Sequence, residues 1–467
     1  MRARAAAILQ GPSVIDRIGE PRRPMAKDDS LLRAARALAD EMATHLGIDA
    51  SVELWDGARV PLGANAAAPL AITIANAGAI ASLLRRPTLD RLIRHHIQGD
   101  IDLTGGTLLD LGRMVGDDAV RKRLKKVRKL RLARHLLPFL RAPATPLRDT
   151  RDFAGNAEGG QRTRSDNKDY IAFHYDVGND FYRLFLDAEL IYSCAYFAND
   201  ADDLDQAQVN KLDMICRKLR LQPGERFLDI GCGWGGLVCH AARHYGVEAH
   251  GITLSEAQLA MARERVATRG LGDAVTLEIR DYADLQGAYD KIASIGMYEH
   301  IGIGNIPAYL KTVRAHLSEG GLFLNHGITR RAKRDRGWGR ARFSARPEQR
   351  ALQQYIFPGG ELDDIGNTVA ALERAGFEVH DVEGWRWHYA RTTRMWCERL
   401  YGRRVEAEAM VGAPMVRIWL AYLAGCSLAF ERGSARIFQT LSSRSPKGKP
   451  PVPSTRADLY AAAPPRG

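Results

Sequence analysis

The stretch that most restricts this chain is ERFLDIGCGWGGLVCHAARHYG, residues 225–246. Phe227 to Ile230 reads as a short apolar strand interrupted by Asp229. Gly231, Gly233, Gly235 and Gly236 then make a tight turn, and LVCHAARHYG continues as a helix. Glycines at such a junction let the backbone approach a cofactor at a helix N-terminus. The spelling GCGWGG lacks the GxGxxG of dinucleotide enzymes, and Asp229 puts a carboxylate at the strand's C-terminal end. Both details favour a methyl-donor site, although a glycine loop alone does not decide the matter.

The segments that follow extend the sheet. VEAHGITLS (247–255), VTLEIRDYADL (275–285), DKIASIGMYEHIG (290–302) and GLFLNHGI (321–328) read as strands, with EAQLAMARERVATRG a helix behind the first. Each reaches polar or small residues as it ends, where ligands sit in open α/β sheets. Thr253, Gln258, Asp281 and Tyr282 are therefore cofactor candidates, each with an ordinary cap or turn role as the alternative.

A length of 467 residues predicts two to three domains. Residues 1–28 read as a flexible N-terminus without a secretory h-region, and 29–145 as a small accessory domain. In it a helical start at 30–47 leads to a strand at 51–57, a buried strand entering a helix at 66–84, and a short strand at 99–106. Residues 146–167 read as a linker, 168–445 as the main domain, and the Pro-rich 446–467 as a disordered tail. No apolar run is expected to span a bilayer. The six cysteines form no CxxC pair, which predicts a reducing cytoplasm and no metal site.

The formal charge of +12 favours an anionic partner. VRKRLKKVRKLRLARHLLPFL (120–140) carries nine Lys or Arg residues between Arg121 and Arg134, with Leu124, Val127, Leu130 and Leu137 at helical spacing. It reads as a basic amphipathic helix, either a solvated linker or one lying on an anionic membrane surface. A second basic run at 330–350 around Trp338 suggests a headgroup-contacting loop. Nucleic acid is disfavoured, because no recognition helix or aromatic RNA motif is evident.

Several separate motifs in order carry a resemblance: HYDVGNDFYRLFLD (174–187), YSCAYF (192–197), LDIGCGWGG (228–236), GITLS (251–255), GMYEHIG (296–302), NHGI (325–328), YIFPGGEL (355–362) and HYARTTRMW (388–396). Over roughly 165–443 the chain resembles the cyclopropane-fatty-acyl-phospholipid synthases, with the related mycolic acid cyclopropane synthases and C-methyltransferases. The resemblance implies an α/β, class I S-adenosylmethionine methyltransferase-like Rossmann sheet with a small N-terminal domain. It implies S-adenosylmethionine at Tyr192, Ser193, the Gly231–Gly236 loop, Thr253, Leu254, Gln258 and Tyr282, to which the strand-end reading adds Asp229 and Asp281. It also implies a bicarbonate ion resting on Cys194, Glu299, His326, the Ile328 backbone and Tyr389. Tyr298 stands where relatives often carry Phe.

The implied substrate is a phospholipid with a cis-unsaturated acyl chain, and the implied place is the inner face of the membrane. The accessory domain is expected to meet the bilayer or a second copy of the chain, as a homodimer. Methyl transfer to an alkene leaves a carbocation, so the site must hold a base and exclude water. Phe173, Tyr175, Phe181, Tyr182, Phe185, Tyr192, Tyr196 and Phe197 are expected to line an acyl tunnel, simple core packing being the alternative. His174 and Asp176 read as structural braces. A nucleophilic Cys194 is disfavoured, because alkene methylation offers no acyl electrophile. Three rival readings stand beside ring formation: a methylated olefin without ring closure, a silent lipid-binding protein, and a methyltransferase acting on nucleic acid or a small molecule.

Overall fold

The computed structural model describes residues 26–65, 67–126, 129–148, 177–332, 354–356, 358, 360–445, 448 and 450–460. His174, Asp176, Phe173, Tyr175 and most of the second basic run, Trp338 included, lie outside them.

The first part of the chain builds a small sheet under helices. Helix α1 (Ala26–Leu46) precedes β1 (Ser51–Glu53) and β2 (Arg59–Pro61), and β3 (Ala71–Ile74) leads into α2 (Ala77–Arg85). Then come α3 (Leu89–Gln98), β4 (Ile101–Thr104), α4 (Leu108–Gly116), α5 (Asp118–Leu124) and α6 (Lys129–Leu140). The strand order is β2-β1-β3-β4, with only β1 and β3 parallel. Asn76, Thr88 and Thr107 start α2, α3 and α4 by accepting amide hydrogens in their first turns. Leu46, Ile48, Leu62, Leu70 and Leu103 fill the core beneath.

The second part begins with α7 (Asn179–Arg183) and α8 (Leu204–Leu219), then β5 (Arg226–Ile230), α9 (Gly236–Tyr245), β6 (Glu248–Thr253), α10 (Glu256–Thr268), β7 (Val275–Ile279) and β8 (Tyr289–Ile295). Next are α11 (Tyr298–Ile301), α12 (Ile306–His316), β9 (Leu317–Arg330), α13 (Ile365–Arg374), β10 (Glu378–Gly384), α14 (Arg386–Gly402), α15 (Arg404–Val411), α16 (Ala413–Glu431), β11 (Ala435–Ser443) and α17 (Ala457–Tyr460). The seven strands run β10-β11-β9-β8-β5-β6-β7, with β9, β8, β5, β6 and β7 parallel. The strand order reverses direction at β5, which opens a crevice at its C-terminal end. There the glycine loop emerges.

Helices α14 and α16 pack against each other beside the sheet. Trp385, Trp396 and Trp419 are fully buried there, and each ring removes about 150–250 Å² from water. The two halves of the molecule meet on this layer. Asp102 accepts from Arg404 Nη2 (2.9 Å) and Arg417 Nε (2.8 Å), Tyr355 Oη donates to Asp90 (2.6 Å), and Arg113 pairs with Glu431.

Four expectations need correction. The helix expected over 120–140 is two, α5 and α6. Leu130 and Leu137 of its stripe are 88% and 59% exposed, and Phe139 is the buried anchor. The flexible N-terminus expected to reach residue 28 already enters α1 at Ala26. The expected disordered tail is docked in part. Leu459 is buried, its carbonyl accepts from Arg217 Nη1 (3.2 Å), and Arg456 pairs with Asp381. Among the described residues one helix, α16, is long and apolar enough to cross a membrane, where none was expected. It carries Val416, Trp419 and Leu423 in the core against α14, where Ser427 Oγ donates to Ala390 O (3.0 Å).

Candidate active site

After β5 the chain turns at Gly231, Gly233 and Gly235, all at positive φ, before α9 begins at Gly236. At Gly231 a Cβ would lie 2.4 Å from Met297 Cγ, so a side chain there meets both strain and collision. The first amides of α9 are left to face the crevice. A cavity of about 120 Å³ lies at this point.

Of the residues expected at the cofactor, Tyr192, Ser193, Asp229, Gly231, Gly233, Gly236, Thr253, Leu254, Gln258 and Tyr282 all line that cavity. Two of the expected residues are not part of its lining. Gly235 turns away, toward Ala262, and serves as the N-cap of α9. Asp281 accepts the Ala283 amide (2.8 Å) and caps the turn at 282–284. The cavity also has walls that were not among the expected cofactor residues: Lys211, Arg280, Met297 and His300.

Buried charge concentrates on one side of this cavity. Lys211, on α8, is 2% exposed and donates from Nζ to Ser193 Oγ (3.0 Å). Burial pulls its ammonium down to about 8. Asp229 is 3% exposed, and its Oδ1 has no partner among the described residues. Burial pushes this carboxyl up to about 7, against the pull of Lys211. Asp187 accepts the amides of Glu189 and Ile191 (both 2.9 Å) and so folds the 187–193 segment over the cavity. Leu190 takes φ 53 there, a conformation rare for leucine and held by the hydrogen bond its amide donates to Asp187 O (2.9 Å). Arg265 clamps the same segment to the glycine loop by donating to Glu189 O and Trp234 O (both 2.8 Å).

A second polar centre lies at the ends of β8 and β9. Glu299, on α11, is 3% exposed; Oε1 accepts the Ile328 amide (2.6 Å), and Oε2 is buried without a partner among the described residues. Burial pushes this carboxyl up to about 7. His326 is 1% exposed, with Nδ1 3.1 Å from Gln439 Nε2 and with Nε2 likewise unpartnered. Burial, then the Lys211 and Lys218 ammoniums and His388, hold the ring well below its ordinary pKa. His326 and Ile328 are two apart on β9 and face the same side. The fold thus brings Glu299, His326 and Ile328 together.

Cys194 joins them through Trp385. Its thiol donates to Ala195 O (3.3 Å) and Trp385 O (3.9 Å), and the Trp385 ring meets His326 edge-on at 5.1 Å. Complete burial pushes the thiol well above its ordinary value, so it is no thiolate. Tyr389 shares the hydrophobic cluster of Cys194, its ring 4.6 Å from Phe430 and 6.0 Å from Trp396. The Ile328 amide, expected at an anion, is engaged by Glu299 instead. Tyr298 points to the opposite side, beside Gly327 and Thr368, and burial pushes its hydroxyl up to about 12.

The aromatic segment is mostly core. Phe181, Tyr182 and Phe185 are at most 1% exposed and pack edge-on or tilted against one another and Trp419 at 5.4–6.2 Å. Tyr196 lies on Trp385 (4.9 Å) and Phe197 under Arg391 (4.0 Å). Of the six described rings among those expected along a tunnel, only Tyr192 lines the cavity described above.

Residues 161–440 match the mycolic acid cyclopropane synthetase family. A probable fatty acid methyltransferase of Pseudomonas putida is 38% identical over 88% of this chain and 95% of its own. The cyclopropane-fatty-acyl-phospholipid synthase of Escherichia coli is 38% identical over 58% of this chain and 66% of its own. The crystal structure of the mycolic acid cyclopropane synthase CmaA1, complexed with SAH and CTAB, covers 59% of this chain and 98% of its own, at 30% identity and a TM-score of 0.54. With its Rossmann-type sheet and this span of similarity, the chain belongs to the cyclopropane-fatty-acyl-phospholipid and mycolic acid cyclopropane synthase family, and it is an S-adenosylmethionine-dependent transferase.

Proposed function

We propose that the protein is a cyclopropane-fatty-acyl-phospholipid synthase, which adds a methylene group across the cis double bond of an unsaturated phospholipid acyl chain. The observation that carries this reading is the two buried atoms Glu299 Oε2 and His326 Nε2, without partners among the described residues and on residues next to His300 and Ile295 of the cavity wall. Buried polar atoms are costly without partners, so the pair calls for a small polar occupant or a proton to move. A bicarbonate ion fits that donor set, because Glu299 and the ion can share one proton while His326 offers a hydrogen.

Tyr192, Ser193, Thr253, Gln258, Tyr282 and the glycine loop would hold S-adenosylmethionine, whose sulfonium supplies an electrophilic methyl group. The alkene forms the new carbon–carbon bond as the sulfur–methyl bond breaks, which leaves a cation on the acyl chain. Loss of a proton from the new methyl group then closes the ring. A bound bicarbonate would supply the acceptor for that proton. Glu299 and His326 would hold it, with Cys194 and Tyr389 enclosing them in a water-poor layer. Lys211 would fix Ser193 against the cofactor.

One observation favours a second reading, in which proton loss from the chain gives a methylated olefin. The relative that aligns along 88% of this chain is named a probable fatty acid methyltransferase. Incubation with S-adenosylmethionine and vesicles of cis-unsaturated phospholipid, followed by mass spectrometry and NMR of the acyl chains, tests both. Cyclopropane proton signals support ring formation, olefinic methyl signals support the second reading, and no mass gain overturns both.

The vesicle is also the proposed partner surface, placing the protein on the cytoplasmic face of the membrane. Leu130, Leu137 and Leu140 stand exposed on α6 among the exposed Arg131 and Arg134. Apolar and cationic groups on one helix suit an anionic lipid interface. A homodimer meeting through the N-terminal part is the other use of that region.

A further inference from the structure

We infer that Lys218 and Gln439 are positioning residues that hold His326 as the Nε2-protonated tautomer, so that His326 presents a hydrogen-bond donor to the site and never a base. The inference deepens the oxyanion reading above and rests on it for its functional consequence.

The chain of reasoning starts at Lys218 on α8, 1% exposed. Its ammonium pairs with Glu383, lies 5.2 Å from the centre of the Trp385 ring, and donates to Gln439 Oε1 at 2.7 Å. An ammonium carries only donors, so the oxygen of the Gln439 amide must face it. That fixes which way the amide points, and its NH₂ group is left toward His326 Nδ1 at 3.1 Å. An NH₂ group only donates, so Nδ1 must accept. In a neutral ring the proton then sits on Nε2. An imidazolium would set N–H against N–H and add a cation near two buried ammoniums.

The geometry is rigid. Gln439 is 1% exposed and directly opposite His326 in the β9–β11 ladder. Trp385 touches the imidazole edge-on and lies under the ammonium, tying the ends of the chain together. The free end, Nε2, is the buried atom that has no partner among the described residues. A donor there would orient an oxyanion and leave proton removal to the ion and Glu299.

The full-length protein labelled with ¹⁵N only in histidine tests this directly, with His326 signals assigned by their loss in His326→Gln. Long-range nitrogen–proton correlations are expected to show Nε2 protonated and Nδ1 bare from about pH 6 to 8, with no lipid present. In Lys218→Met the amide is free to flip. The single tautomer is expected to give way to a mixture, with kcat falling about tenfold or more and KM for S-adenosylmethionine unchanged. Lys218→Arg, which restores a donor to Oε1, is expected to restore the tautomer. An Nδ1-protonated or doubly protonated His326 in the wild-type protein overturns the inference. So does a folded Lys218→Met protein, judged by thermal melting, that keeps the pure Nε2–H form. The nitrogen readout needs no product, so it stands or falls separately from the proposed reaction.

Discussion

Glu299 carries the sharpest chemical expectation. Its carboxyl is held up at about 7 by burial, so it ionises near neutrality rather than near 4.5. A site that needs this acceptor gains activity as the pH rises. kcat/KM is therefore expected to climb through about pH 7 in the wild-type protein. Glu299→Gln should lose that limb and about 10²–10⁴ of the rate. Cys194→Ser is expected to stay within about tenfold of wild type, because a hydroxyl can still donate to the Ala195 and Trp385 carbonyls. Equal, complete loss in both would show that the thiol acts in the chemistry. The burial of Glu299 and His326 was legible, because an apolar run precedes each. That of Lys211, Lys218 and Gln439 was not. A lysine on a helix reads locally as solvated, and only the packing of α8 under the sheet buries these two.

Among elements, the glycine turn is the most exacting. Gly231→Ala must adopt φ near 82 and displace Met297, so S-adenosylhomocysteine binding by calorimetry is expected to weaken about tenfold or more. The central strands were legible because apolar runs ended in glycine or polar residues at the expected places. β11 was not, since Gln439, Thr440, Ser442 and Ser443 are buried in a strand that ordinary alternation would not predict. The break between α5 and α6 was missed because helical spacing says nothing about which face finds a partner. The leucines left over are themselves testable. Leu130→Gln with Leu137→Gln is expected to lower sedimentation with anionic vesicles several-fold, with melting unchanged. Binding that ignores both this change and lipid charge would remove the membrane surface from the account.

At the scale of the molecule, Asp102 joins the two halves. Its guanidinium partners hold the carboxyl below the usual range although burial opposes them. A depressed folded pKa contributes stability above the unfolded value of about 3.8, and that stability is lost as the pH falls through the folded value. Asp102→Asn is expected to cost about 2 kcal/mol at pH 7 by denaturant melting, with a difference that shrinks as the pH falls through the folded value. A constant difference would assign the loss to shape alone. On the proposed reading, the arrangement would set a cation-forming reaction in a dry layer and remove a proton from the right carbon. S-adenosylmethionine with a fully deuterated methyl group, given with unsaturated phospholipid vesicles, reads that choice directly. Ring closure by loss from the new methyl group predicts two of the three deuterons retained, on a cyclopropane carbon. Retention of all three in the product would contradict it.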